Sequence, residues 1–407
     1  FIENSDEIKK RLWFKTDETY KNAVSQFENV KANVAIKVDS EDKSPDFSNE
    51  KPEVYIEKPK EFKNLHFDAK KWENKLKKYS AVFTKNKDIY SCNVYLSAEL
   101  KRFYFVDTDG SEIYENQLAF KLNISASTIA DDGMNLPLYE SYFAFDAKDF
   151  PSDDEIIKDA ERMSELLSKL RVAPTAETYS GPAILSPSAT GVFFHEIFGH
   201  RIEGSRLKKE QDAQTFKKKV GEVLLPEDFS IWYNPQLKEY HGFKLAGNYI
   251  YDDEGVKGQK VSIIENGRLN SFLMSRSPIE GFPNSNGHGR AMIQSNAVTR
   301  QSNMVLETTQ PHSKEELRAM LIEQLNKTDK PYGYYFEKVS GGFTTTGRYM
   351  PNAFNLSPLV VYKVFTDGRP DELVRGVDLV GTPLSMFSQI TAAGKEYDVF
   401  NGMCGAE

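Results

Sequence analysis

Cysteine is nearly missing: the 407 residues carry two, Cys92 and Cys404, far apart in the chain. A disulfide framework is therefore not expected, the compartment cannot be read from them, and either is left free to serve as a ligand. Long apolar runs are missing too. None approaches the ~18 residues of a membrane span, and no basic-then-apolar leader opens the chain. The first residue is Phe1 rather than Met, which reads as a processed form or a fragment, so localisation stays open. An excess of positive charge is also absent. Lys and Arg number 52 against 60 Asp and Glu, a net charge of -8, which favours solubility and disfavours nucleic acid as the main partner. The densest basic stretch, 206–219, is interrupted by Glu210 and Asp212 and reads as a solvated helix face rather than a polyanion site.

The length is ample for two domains with an appended segment. Apolar residues at mixed three and four spacings predict a long amphipathic helix from Ser5 to about Lys37, broken near Thr16-Asp17. Pro45, Pro52 and Pro59 make 39–64 a linker or strap. A helix over 68–83 follows, then strands over 88–98, 101–107, 112–125 and 138–146, with Asp109-Gly110 as a hairpin turn. Ser152 caps a helix that runs to about Leu170. Beyond Gly181, short strands dominate, with hairpin signals at Asn266-Gly267 and Asp367-Gly368 and one helix over 314–325. The expected fold class is α+β: a strap over 1–64, an α+β domain over 65–180, and a larger, mostly antiparallel β domain over 181–407 carrying a helix near its start.

That helix contains the chemistry. In Phe194-His195-Glu196-Ile197-Phe198-Gly199-His200, two imidazoles bracket a carboxylate inside an apolar stretch. Neutral imidazole is a good zinc ligand, and an adjacent glutamate can take a proton from activated water. The familiar spacing is H-E-x-x-H, which puts both histidines on one helical face. Here the separation is five residues, roughly 140° apart on a regular helix. Either a single π-turn or a helix end at Gly199 must bring the rings together.

A catalytic zinc takes three protein ligands. Two residues can supply the third: Glu203, three positions after His200, and Cys404, set between Gly402-Met403 and Gly405. Glu203 could equally orient an imidazole from behind, and the residues alone leave this choice open. His288 and Arg290 stand in the glycine-bracketed loop Ser285-Asn286-Gly287-His288-Gly289-Arg290 and are candidate substrate contacts, although a plain loop histidine is the simpler reading of His288. The run from Gly341 through Gly342, Thr344 and Thr345 to Gly347 could pair with an extended peptide or simply form a bulged strand. It is not a phosphate loop, since no Gly-Lys-Ser/Thr follows. His66, His241 and His312 have no partners nearby in sequence and receive no role.

The run Pro187-Ser188-Ala189-Thr190-Gly191-Val192-Phe193-Phe194-His195-Glu196-Ile197-Phe198-Gly199-His200-Arg201-Ile202-Glu203-Gly204, with Cys404-Gly405, resembles the TldD/PmbA family of metalloproteases. The likeness extends to Val374-Arg375-Gly376-Val377 and Gly381-Thr382-Pro383-Leu384 and covers most of 65–407. It implies a zinc site held by His195, His200 and Cys404, with Glu196 as catalytic base and Glu203 moved to a supporting place. It also implies cleavage of peptides or unfolded segments, and a homodimer or a heterodimer in which an inactive PmbA-type subunit lacks the motif. A chain that retains the motif is similar to the active, TldD-type subunit, and the family resemblance implies the cytoplasm. The expectation is thus a zinc-dependent peptidase that binds substrate in extended form. A non-catalytic peptide-binding subunit with a structural or absent metal is the alternative.

Overall fold

The computed structural model describes residues 4–33, 42–61, 67–212, 214–292 and 295–405. Residues 34–37 of the expected first helix, 39–41 and 62–64 of the strap, His66, and Ala213 of the basic stretch lie outside them. Contacts divide the chain into 1–44 and 45–407. Within the first unit, Ser5–Asn33 is one α-helix, with no break at Thr16-Asp17. Thr16 and Thr19 turn their hydroxyls back onto the carbonyls of Leu12 and Lys15, both at 2.8 Å, and Asp17 pairs with Lys21 at 2.7 Å, so polar side chains that could have ended the helix are absorbed along it.

The second unit begins with a four-stranded sheet in which Glu112–Ile129 is central. It pairs antiparallel with Ser91–Val106, in unbroken register from Ser91↔Ser127 to Val106↔Glu112. The two strands expected over 88–98 and 101–107 are therefore one, because an equally long partner holds Glu99 and Leu100 in the ladder opposite Ala119 and Leu118. The turn is fixed by Asp107, whose Oδ1 accepts the backbone N–H groups of Asp109, Gly110 and Ser111. Asn135–Ala144 joins the other side of the central strand, and Val54–Ile56 pairs in parallel with Glu112, Ile113 and Tyr114. A segment read as linker thus adds a short edge strand between two prolines, the kind of position that tolerates them.

Helices Ala69–Ala81 and Asp153–Val172 cover one face of this sheet. Tyr79 and Phe83 meet Leu122, Ile124, Leu138, Ile156, Met163 and Leu167 in a dry core. Ser152 and Glu155 form a reciprocal cap at the start of the second helix, a device worth roughly 1 kcal/mol. Asp153 beside it takes the Tyr79 hydroxyl at 2.6 Å and the Lys75 ammonium at 2.8 Å, tying the two helices together.

Farther along the chain the sheets are largely antiparallel. One runs Glu372–Val374, Phe354–Phe365, Tyr332–Thr344 and Ala183–Leu185, with Leu379–Gly381 also on Phe354–Phe365. Another runs Arg268–Leu269, Val261–Glu265, Phe229–Tyr233 and Met304–Thr308. The tight turn before Arg268 needs both central residues left-handed, and Asn266 (φ 50) and Gly267 (φ 74) supply this. Helix Pro187–Ile197 packs on Tyr332–Thr344 and Phe354–Phe365 of the first of these sheets, its Phe193, Phe194 and Ile197 in one buried cluster with Ile231, Leu269, Phe354 and Leu356. The basic stretch is not a long helix. After Gly204–Lys208 it proceeds in turns that bury Phe216 completely. The fold is α+β, and among the described residues no helix is long and apolar enough to cross a membrane.

Candidate metal centre

Helix Pro187–Ile197 starts on a local cap. Ser186 accepts the Ala189 N–H at 3.2 Å, Pro187 takes the first helical position, and the Ser186 hydroxyl donates to the Glu337 carbonyl at 2.8 Å. The helix ends at Ile197. Phe198 leaves helical geometry (φ −123, ψ −53), and Gly199–Arg201 forms a tighter 3-10 turn. Of the two ways to reunite the histidines, the helix end is therefore the one used. Gly199 contributes through its missing Cβ and not through left-handed backbone: a methyl there would lie 1.9 Å from Gln301 Oε1.

The result places the His195 and His200 rings 4.6 Å apart at 72°. Cys404 Sγ arrives 3.4 Å from His200 Nε2, and one donor atom from each of the three residues lies within 4.8 Å of the others. Zinc ligand bonds of about 2.0–2.3 Å put tetrahedral donors roughly 3.3–3.8 Å apart; the Cys404–His200 pair falls in that range, and a set of two nitrogens and one sulfur has the chemistry of a zinc site. Glu196 Oε1 is 3.9 Å from His195 Nε2, and its Oε2 is 3.9 Å from His200 Nε2. Its Oε2 is buried without a hydrogen-bond partner. A buried carboxylate oxygen left bare beside three metal-type donors is the strongest sign that the cluster is built for a group it faces.

The electrostatics follow from burial against neighbours. Burial raises the proton affinity of Glu196, and the two histidines only partly oppose it. Burial would lower His200, but Cys404 and Glu203 outweigh it and hold the imidazole up at about 9. Burial would raise the Cys404 thiol, yet His195 and His200 bring it down to about 5.

Glu203 is fully buried behind His200. Its Oε1 lies 3.4 Å from His200 Nδ1, the ring nitrogen remote from the sulfur, and its Oε2 takes Arg206 Nε at 2.7 Å. Its charge is sustained against burial by His200, Arg300 and Arg206. Arg201, which the sequence reading passed over, is completely buried. It donates to the Glu196 carbonyl at 2.7 Å, to Thr344 Oγ1 at 2.8 Å and to Asn352 Oδ1 at 2.7 Å, and so pins the carboxylate-bearing turn to the strand beside it. Gln301 also escaped notice. It accepts from the Tyr233 hydroxyl at 3.2 Å and packs on Gly199.

The candidate substrate contacts fare differently. His288 is fully buried, with Nδ1 2.9 Å from Asn286 Oδ1 and Nε2 3.0 Å from Ser302 Oγ, and burial drives its pKa down to about 3. A neutral ring with both nitrogens engaged is closed to a ligand, which corrects the expectation for it. Arg290 stacks on Tyr249 and faces Asp253 at 3.4 Å. Thr344 is buried and serves Arg201, and the Thr345 carbonyl does the same at 3.2 Å. Gly342 does border the centre: a Cβ there would lie 2.8 Å from Glu196 Cγ.

A metal-type donor set on this fold defines a class, and the sequence profile of the PmbA/TldA metallopeptidase C-terminal domain matches residues 178–406. The chain belongs to the PmbA/TldD metallopeptidase family. It is 29% identical over 252 residues to a metalloprotease of Archaeoglobus fulgidus, covering 62% of this chain and 54% of that one. It is 28% identical over 235 residues to a zinc metalloprotease TldD homolog of Saccharolobus solfataricus, covering 57% and 47%. The chain spans about half the length of the curated relatives it matches. The crystal structure of TldE from Thermococcus kodakarensis shares the fold at a TM-score of 0.61 and 19% identity, covering 86% of this chain and 74% of that one.

Proposed function

We propose that the chain is a zinc-dependent peptidase that cleaves peptides or unfolded segments held in extended form. The observation that carries this is the convergence of His195, His200 and Cys404 on one side of the partnerless Glu196 Oε2. His195, His200 and Cys404 would hold the ion, which when bound supplies a Lewis acid for the scissile carbonyl and acidifies water. Glu196 then takes the proton of the attacking water and delivers it to the leaving amine, a task suited to a carboxylate whose proton affinity burial has raised. Arg201 keeps that carboxylate in place through the Glu196 carbonyl. From Lys338 onward, the edge of Tyr332–Thr344 turned away from Phe354–Phe365 has no strand partner among the described residues. Gly341 and Gly342 leave its backbone bare beside Glu196, which suits a substrate bound by main-chain hydrogen bonds with little sequence demand.

We assign this chemistry to 181–407, with 65–180 as a supporting α+β domain, and propose a homodimer or a heterodimer with a PmbA-type subunit as the working assembly. The alternative, a non-catalytic peptide-binding subunit, needs a closed four-ligand site. Glu203 is the residue that would close it, and its engagement with His200 Nδ1 and Arg206 speaks for an open fourth position. The test is Glu196→Gln, with zinc content measured alongside peptide cleavage. Cleavage should fall by roughly 10²–10⁴-fold with metal retained, and full activity in the zinc-loaded variant would overturn the mechanism.

A further inference from the structure

We propose that Arg300 is a positioning residue that holds Cys404 in place as the third metal donor. Arg300 is 8% exposed, and its guanidinium forks between two parts of the site. Nη2 donates to Cys404 Sγ at 2.9 Å, to the Gly405 carbonyl at 2.8 Å and to the Cys404 carbonyl at 3.3 Å. Nη1 lies 3.4 Å from Glu203 Oε1, the carboxylate oxygen that faces His200. One side chain thus spans the thiol donor and the carboxylate that orients an imidazole donor.

The need for such a clamp is visible in the backbone. After helix Pro383–Phe387 the chain runs to Cys404 without a further helix or strand. Asn401 is tied down, accepting the Ala246 N–H at 2.9 Å and donating to the Lys244 carbonyl at 2.8 Å. Beyond it, Cys404 is held by His195, His200 and Arg300. The histidines would be committed to the ion, which leaves Arg300 as the protein's own grip on the sulfur. A guanidinium suits the task, since it stays charged and presents several donors in a rigid plane. Its own placement is secured by the Arg300 N–H to His288 carbonyl bond at 2.9 Å and by the neighbouring Thr299 hydroxyl on Ser275 at 2.9 Å. The buried His288 therefore supports the site from behind. The competing account, that Arg300 only neutralises Glu203, is separable because Arg206 also binds Glu203 at 2.7 Å.

This inference rests on the zinc reading above. The experiment uses the full chain loaded with Co(II) or Zn(II), comparing wild type, Arg300→Gln, Arg300→Lys and Arg206→Gln. The sulfur-to-cobalt charge-transfer band reports whether Cys404 is bound, and competition with a chromophoric chelator gives the zinc dissociation constant. Arg300→Gln should lose most of the band and weaken zinc by roughly 10–100-fold. Arg300→Lys, which keeps charge without the fork, should fall between it and wild type, and Arg206→Gln should keep the band. A wild-type band and zinc affinity in Arg300→Gln would overturn the proposal, as would an equal loss in Arg206→Gln. Should Arg300→Gln fail to fold, an undiminished band in Arg300→Lys overturns it. Absence of the band from the wild type would instead be a failure of the zinc reading itself.

Discussion

Gly342→Ala gives the sharpest test of how the carboxylate is held. A Cβ built at Gly342 lies 2.7 Å from the Asn355 carbonyl oxygen, 2.7 Å from Leu356 Cδ2 and 2.8 Å from Glu196 Cγ, where ordinary contact begins at 3.4 Å. Asn355 and Leu356 belong to the strand paired with Gly342, so the carbonyl cannot retreat without opening that ladder. The strain falls on the Leu356 methyl and on Glu196, which must move by about 0.6 Å or more. Overpacking of this kind costs about 1–3 kcal/mol of stability. A misplacement approaching 1 Å at a reacting group costs up to ~10²-fold in rate, so kcat should drop by about tenfold or more. The three atoms nearest the added methyl include no metal donor, and zinc content should stay at the wild-type level. The assay pairs kcat on an unstructured peptide with zinc analysis and a thermal melt. Unchanged kcat in the folded variant, or a loss of zinc large enough to explain the drop, would refute the argument.

Cys404→Ser should reduce zinc content at limiting metal by more than tenfold, because a hydroxyl replaces the site's one soft donor. Wild-type occupancy in that variant would remove Cys404 from the site. Acid stability offers a test away from the centre. The hydrogen bond from Lys75, with Tyr79 assisting, holds Asp153 below its ordinary value. Its contribution is therefore present above the unfolded carboxylate value of about 3.9 and is lost as pH falls through the lower folded value. Asp153→Asn should accordingly show a smaller loss of Tm than wild type between about pH 6 and pH 3, and parallel melting curves would exclude this pair as a source of the acid sensitivity.

The parts of the fold that declare themselves locally could be read from the sequence. Ser152 and Asn266-Gly267 each encode a cap or turn locally, and each stands where expected. The histidine spacing foretold a departure from regular helix, and Phe198 and the 3-10 turn supply it. What could not be read depends on partners far along the chain. Val54–Ile56 gains its strand character only from Glu112–Tyr114. Arg201 and Arg300 look like surface residues by type, yet their partners Thr344 and Cys404 lie 143 and 104 positions away. For His288 the plain loop reading stands and the substrate contact does not, and nothing nearby in sequence announces Ser302 as its partner.

The late arrival of the sulfur also bears on biosynthesis. A ribosome that has delivered the chain through Thr344 has already supplied both imidazoles, Glu196 and their buried arginine. The thiol follows only after strands Phe354–Phe365 and Glu372–Val374 have been made and the irregular segment 388–404 has been laid down. On the zinc reading, a hydrolytic centre that is harmful if it fires early stays incomplete while its own nascent, unfolded segments are within reach.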